Sequence, residues 1–188
     1  EIGDEVPDET TLCRFRNKLV ERNLHETLFQ AINRQLEDHG IKVRKAEAAL
    51  VDATIITSSA RPKQTIEDGV VKKSADPDAS WVTKGKKSYF GYRGYAIADG
   101  EKGFIHHLLL RPGNESETKQ LPVLLKHVHG KRILTDKGFS SFENREEVRK
   151  MGIKDGLSQK ASRGHPLRYS QRLFNRIVAR RRFRIEQA

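Results

Sequence analysis

The run Lys131-Arg-Ile-Leu-Thr-Asp136-Lys-Gly138-Phe139 takes an apolar strand to an abrupt end in an acid, a base and a glycine. Ile133 and Leu134 carry the β-propensity and Gly138 supplies a turn, so Asp136 is expected at the carboxyl end of a strand, where open α/β sheets bind their ligands. An Asp in this position also closes turns and caps helices, and the run alone leaves both readings open. A second stretch changes the weight of the first. Ala46-Glu-Ala-Ala-Leu-Val-Asp52-Ala-Thr54-Ile-Ile-Thr57 is apolar on both faces and rich in β-branched residues toward its end, the pattern of a central, buried strand. Asp52 stands in its middle, where an ionised carboxylate is costly unless it is paired, protonated or bound to a cation. A structural salt bridge and a metal site both meet that requirement.

Working outward, the residues from Ser88 to Asp99 and from Gly103 to Arg111 read as two strands joined by the turn Asp99-Gly-Glu-Lys-Gly103. The strand of Asp52 therefore begins an antiparallel meander. His106 and His107 are adjacent on one of these strands and point to opposite faces, so they read as ordinary sheet residues rather than as a metal pair. Leu121, Leu124, Leu125 and Val128 recur at helical spacing and lead into the strand of Asp136. Ser141 to Lys150 reads as a further helix, Ile153 to Leu157 as a short strand, and Lys160 to Arg168 as a basic loop. The last helix begins near Ser170. On a helical wheel Leu173, Phe174, Ile177 and Ile185 fall on one side, with Asn175, Val178, Arg182 and Glu186 on another. Arg182 and Glu186, four apart, have the spacing of a surface ion pair.

Two regions lie outside this α/β pattern. Near the start, Asp8 is placed as an N-cap before Leu12, Phe15 and Leu19, and a second helix carries Leu24, Leu28, Ile32 and Leu36 before Gly40 ends it. These form a helical segment over residues 1–45, either a DNA-binding helix pair or a packing appendage. Residues 58 to 82 lose periodicity and collect Ser, Lys, Asp and Pro, as an exposed loop does. Trp81, next to Lys84, Lys86 and Lys87, is suited to stacking on a base while the lysines meet phosphates, or to anchoring the loop on the core.

Thirty-six Lys and Arg against twenty-five Asp and Glu give a formal net charge of +11 and a pI near 9.9 over 188 residues. The length suits one sizeable α/β domain with a small appendage, and the charge favours a polyanionic partner. Cys13 is the lone cysteine, so an internal disulfide is excluded, zinc-finger spacing is absent, and Cys13 is expected as a small core residue. With no apolar run long enough for a bilayer and no signal-peptide pattern, an intracellular protein is expected. A chain opening on Glu1 and stopping at Ala188 within a helical stretch reads as part of a longer one.

The ordered set Pro7-Asp-Glu-Thr-Thr-Leu-Cys-Arg-Phe-Arg16, Val51-Asp52-Ala-Thr54, Asp76-Pro-Asp-Ala79 followed by Phe90-Gly-Tyr-Arg93, Leu134-Thr-Asp136-Lys-Gly138 and Arg182-Phe-Arg-Ile-Glu186 resembles the DDE transposases of bacterial insertion sequences, in the insertion-sequence-five group. The match covers nearly the whole chain, although Ala179 stands where the group's signature often has Tyr. The resemblance implies a ribonuclease-H-like mixed sheet flanked by helices over residues 46–188, compact and cut short at its C-terminal end. It implies Asp52, Asp136 and Glu186 as the catalytic, metal-holding triad, with Arg182 as the signature's arginine, orienting Glu186 or meeting phosphate. Mg²⁺ is the implied cofactor, with Mn²⁺ able to substitute, because hard cations take oxygen ligands and a two-ion site serves phosphodiester hydrolysis. Asp52 would bridge the two ions while Asp136 and Glu186 each hold one.

The implied activity is hydrolysis at element ends followed by strand transfer of the freed 3′-OH into target DNA. The implied partners are the terminal repeats and target DNA, bound as a dimer in the bacterial cytoplasm at the nucleoid, with no membrane and no small-molecule cofactor. Trp81, Lys84, Lys86, Lys87, Arg93, Lys137, Arg180 and Arg181 are the expected DNA contacts. The alternative is a catalytically incomplete, transposase-derived DNA-binding protein.

Overall fold

A computed structural model describes residues 6–60, 62, 65–67, 70–72, 75–183 and 185, with backbone alone for 65–67 and 70–72. Internal contacts divide the chain into two units, residues 1–42 and 43–188. The first holds helices α1 (Glu9–Glu21) and α2 (His25–Asp38). Asp8 caps α1 as its sequence position suggests, accepting the Thr11 amide at 2.6 Å. Gly40, at φ 66°, ends α2 in the left-handed conformation that glycine adopts without strain. Cys13 is exposed, not a core residue, because α1 buries none of its side chains.

The second unit is built on strands β1 (Ala46–Thr57), β4 (Ser80–Lys84), β5 (Lys87–Asp99), β6 (Ile105–Pro112), β7 (Gly130–Thr135) and β8 (Lys154–Leu157). Between β1 and β4 lies a separate two-stranded sheet of β2 (Thr65–Glu67) and β3 (Val70–Lys72). The expected loop over 58–82 thus contains three short strands. Three-residue strands are too brief to show a period of two, and β4 keeps only Val82 buried, so neither declares itself by hydropathy. The main sheet runs β4-β5-β1-β7-β8, with β6 also on β5. β5 is antiparallel to β1 and to β6, whereas β7 is parallel to β1 and β8 parallel to β7. An antiparallel three-strand meander extended by two parallel strands is the ribonuclease-H-like topology.

Helices cover both faces of this sheet, which is why β1 is apolar on both. On one face α3 (Glu117–Leu125) and α4 (Phe142–Lys150) bury Leu121, Leu124, Leu125 and Val148 against Val51, Tyr95, Ile97 and Ile133. Ser141 caps α4 through the Asn144 amide. Arg145 on α4 grips Asp155 of β8 at 2.7 and 2.8 Å and donates to the Leu157 carbonyl at 2.9 Å, locking helix to strand. On the other face α5 (Tyr169–Arg182) lays Phe174, Val178 and, beyond its end, Ile185 over Leu50, Ala98 and Leu134. Leu173 and Ile177, which share a side of the helical wheel with Phe174, are 43% and 50% exposed. Asn175 decides the rotation: its side chain accepts the Gln159 amide at 2.7 Å and donates to the Gln159 carbonyl at 3.0 Å, turning the Phe174–Val178 edge inward. Among the described residues no helix is long and apolar enough to cross a membrane.

Phe139 is fully buried and meets the Tyr95 ring edge-on at 6.1 Å. Phe139→Ala is expected to cost about 3–5 kcal/mol, read as a lowered urea midpoint with an unchanged slope.

Candidate active site

β1 and β7 pair in parallel from Ala46↔Gly130 to Val51↔Thr135. Asp52 and Asp136 are the next residues on each chain. Their sheet face follows from alternation: Leu50 and Leu134, two residues earlier, both pack beneath α5, so both acids lie on that same face. Asp136 keeps an extended backbone, at φ −69° and ψ 166°, and its carboxylate accepts the Lys137 amide as the chain enters a 3-10 turn, Lys137–Phe139. The capping reading of Asp136 therefore holds as a local fact, alongside its place at the strand end.

Asp52 is not buried; its side chain is 35% exposed. Arg182, in the last turn of α5 and 12% exposed, donates Nη2 to Asp52 Oδ1 at 2.6 Å. The partner of this arginine is thus Asp52, while Glu186 lies outside the described residues, so the expected Arg182–Glu186 pair has no structural account here. The loop from β8 into α5 secures the approach, since Ser158 donates its hydroxyl to the Thr135 carbonyl at 2.9 Å beside Asp136.

A further acid stands close by. Glu117, the first residue of α3, pairs with Arg93 of β5 at 3.1 Å. Burial pushes its carboxyl above the ordinary glutamate range; Arg93 opposes that, and the charges of Asp136 and Asp52 reinforce it. Sequence reasoning passed Glu117 over because an acid in the first turn of a helix is commonplace. Lys84, Arg93 and Glu117 line a small cleft of about 140 Å³ with Thr54 and Thr83.

The remaining expected DNA contacts are dispersed. Trp81 is 55% exposed and lies tilted against Phe90, 5.6 Å between ring centroids. Lys86 and Lys87 are exposed at the β4–β5 hairpin, and Lys137 is exposed in the turn after Asp136. Arg180 and Arg181 line a cavity of about 520 Å³ with Glu47, Ala48 and Gly100, at the end of β1 away from Asp52. The structure bonds Arg182 to Asp52 and sets Asp136 on the neighbouring strand, while Arg180 and Arg181 line the other cavity.

At the far end of β1, Asp76 accepts from Ser58 Oγ at 2.5 Å and from the Tyr92 hydroxyl. The Ser58 bond, then the Tyr92 bond, holds the Asp76 carboxyl below its usual range. The same contact pushes the Tyr92 phenol up to about 12. These bonds close the base of the excursion between β1 and β4.

A mixed sheet carrying one carboxylate in the middle of its central strand and another just past the end of the parallel neighbour, with an arginine brought to the first by the closing helix, defines a ribonuclease-H-like domain. Residues 44–188 match the family described as the transposase DDE domain, and the chain belongs to that family. It is 38% identical over 184 residues to the transposase for insertion sequence element IS1106 of Neisseria meningitidis serogroup B. That alignment takes in 93% of this chain, which spans 64% of the relative's length. Among solved structures it is similar to the piggyBac transposase synaptic complex with hairpin DNA, at a TM-score of 0.41 and 14% identity over 65% of this chain and 25% of that one. It is also similar to the Mos1 mariner paired end complex with Mn, at a TM-score of 0.32 and 14% identity over 82% of this chain and 45% of that one.

The Tyr92 phenol is raised, so its stabilising contact is complete below the ordinary phenol value of 10.0 and is lost as the pH climbs through about 12. Tyr92→Phe is expected to remove that alkaline loss and to move the Asp76 carboxyl back toward its ordinary range, measured by alkaline unfolding and by NMR titration of Asp76 in both proteins.

Proposed function

We propose that the chain is the catalytic core of a DNA transposase, which cleaves phosphodiester bonds at element ends and joins the resulting 3′-OH to target DNA. The observation that supports this most directly is the parallel register carrying Asp52 and Asp136 one residue beyond Val51↔Thr135 on a single sheet face. A structural salt bridge needs one carboxylate; here the register sets a second, Asp136, on the neighbouring strand and the same face, and among the described residues Arg182 bonds Asp52.

The donors fit a hard divalent cation. Both are carboxylates, Asp52 is partly open to solvent, and Mg²⁺ completes its shell with water and substrate oxygens, so few protein ligands suffice. Among the described residues no group of three His, Cys, Asp or Glu forms a metal cluster, and Glu186, the third ligand in this reading, lies outside them. A bound pair of Mg²⁺ or Mn²⁺ ions supplies charge neutralisation at the scissile phosphate and activation of the attacking oxygen.

The chain's own residues do the rest. Asp52, within β1, and Asp136, just past β7, supply carboxylate oxygens whose spacing the sheet fixes. Arg182 balances the Asp52 carboxylate and presents a guanidinium fork suited to a phosphate oxygen. The net charge of +11 draws in the polyanion, and Lys84, Lys86, Lys87 and Lys137 offer phosphate contacts at the β4–β5 hairpin and after Asp136. Arg93 is engaged by Glu117 and contributes to the cleft rather than as an open cation. Terminal repeats are the substrate, and a dimer holding two ends is the working assembly.

In the complete protein, Asp52→Asn and Asp136→Asn are each expected to lower Mg²⁺-dependent nicking of element-end DNA by roughly 10³-fold or more, as for groups that act as a unit, with DNA affinity nearly unchanged in a gel-shift assay. Equal loss of binding and cleavage would overturn the assignment. No nicking by the unsubstituted protein in either metal, with binding intact, would select the catalytically incomplete, DNA-binding reading.

A further inference from the structure

Gly138 follows the candidate ligand Asp136 by two residues, yet it is not among the glycines of positive φ, so the turn does not require its conformational freedom. What it provides is space. A β-carbon placed on Gly138 would fall 1.7 Å from Glu117 Oε2 and 2.8 Å from Glu117 Cδ. The Glu117 carboxylate therefore occupies the volume that any other residue at 138 would fill. It is held there from the sheet by Arg93 at 3.1 Å. The next residue of α3, Thr118, donates its hydroxyl to the Gly138 carbonyl at 3.0 Å, and Asn144 donates to the Phe139 carbonyl at 2.8 Å and the Thr118 carbonyl at 2.9 Å. The start of α3 thus grips the whole turn whose first amide, that of Lys137, binds the Asp136 carboxylate.

We propose that Glu117 is a positioning residue for Asp136: anchored by Arg93 and lodged over Gly138, its carboxylate sets the Lys137–Phe139 turn and through it the direction in which Asp136 presents its oxygens. The consequence for metal affinity rests on the reading of Asp136 as a metal ligand; the consequence for the turn does not. Glu117 and Gly138 act as one device. Enlarging residue 138 expels the carboxylate, and removing the carboxylate leaves the turn without its brace.

The test uses the 188-residue chain with Glu117→Gln, Glu117→Ala, Gly138→Ala and the Glu117→Ala/Gly138→Ala pair. In metal-free buffer, backbone-amide exchange at Lys137 is followed by NMR, with Leu134 in β7 as the reference for global stability. The Lys137 amide is expected to exchange about tenfold faster in Glu117→Ala and in Gly138→Ala, with Leu134 unchanged. The pair is expected to be no faster than either single variant, because both remove one shared contact. Glu117→Gln retains the shape without the charge, folds whether or not Gly138→Ala does, and is expected to lower Mn²⁺ affinity about tenfold in a calorimetric titration, with Asp136→Asn abolishing it. Unchanged Lys137 exchange, or additive effects in the pair, would overturn the proposal. Shared, non-additive Lys137 exchange in a protein whose Mn²⁺ binding ignores Asp136→Asn would uphold the positioning role and sink the metal reading instead.

Discussion

The parallel pairing of β1 with β7 is the constraint on which the rest of the domain depends. It joins an antiparallel meander to a parallel extension, and parallel neighbours need a crossover that returns the chain to the same end of the sheet. α3 is that crossover, and its burial of Leu121, Leu124 and Leu125 beneath Val51 and Ile133 both requires and enforces the β1–β7 register. A one-residue slip would send Asp136 to the face of α3 and α4 and leave Asp52 alone beside Arg182. The register is held by apolar side chains on both faces at once, so specificity for the acidic pair is bought with the core.

Much of this was legible in the chain itself. A run apolar on both faces, as at Ala46 to Thr57, has few homes other than the centre of a covered sheet, and the turn after Asp99 marks an antiparallel return. That turn is secured as its residues suggest: Asp99 accepts the amides of Glu101 at 3.0 Å and Phe104 at 2.8 Å. What failed to show was whatever is decided by tertiary contact. The wheel of α5 offered two partly apolar sides, and a polar residue, Asn175, chose between them. β2 and β3 are too short for periodicity, and Cys13 follows its helix to the surface rather than its hydrophobicity to a core.

Asp52 and Asp136 stood out in the sequence because the first interrupts an apolar strand and the second directly follows one. Arg182 was readable by position, but its bond to Asp52 was not, since spacing along a helix finds neighbours four residues away and is blind to a strand 130 residues earlier. Glu117 was invisible for the opposite reason: its position at a helix start has an adequate local explanation, and only the space above Gly138 shows a second one. Gly138 was noticed as a turn residue, which it is, while the room it leaves for Glu117 was not legible.

The bond between Arg182 and Asp52 closes across 130 residues of sequence, and Asp136 sits between them in chain order. During synthesis the amino-terminal part of a domain emerges first, and contacts of high sequence separation form last. A nascent chain carries Asp52, then Asp136, long before the helix bearing Arg182 leaves the ribosome. The bond between Arg182 and Asp52 is therefore absent from every translation product that stops short of the closing helix.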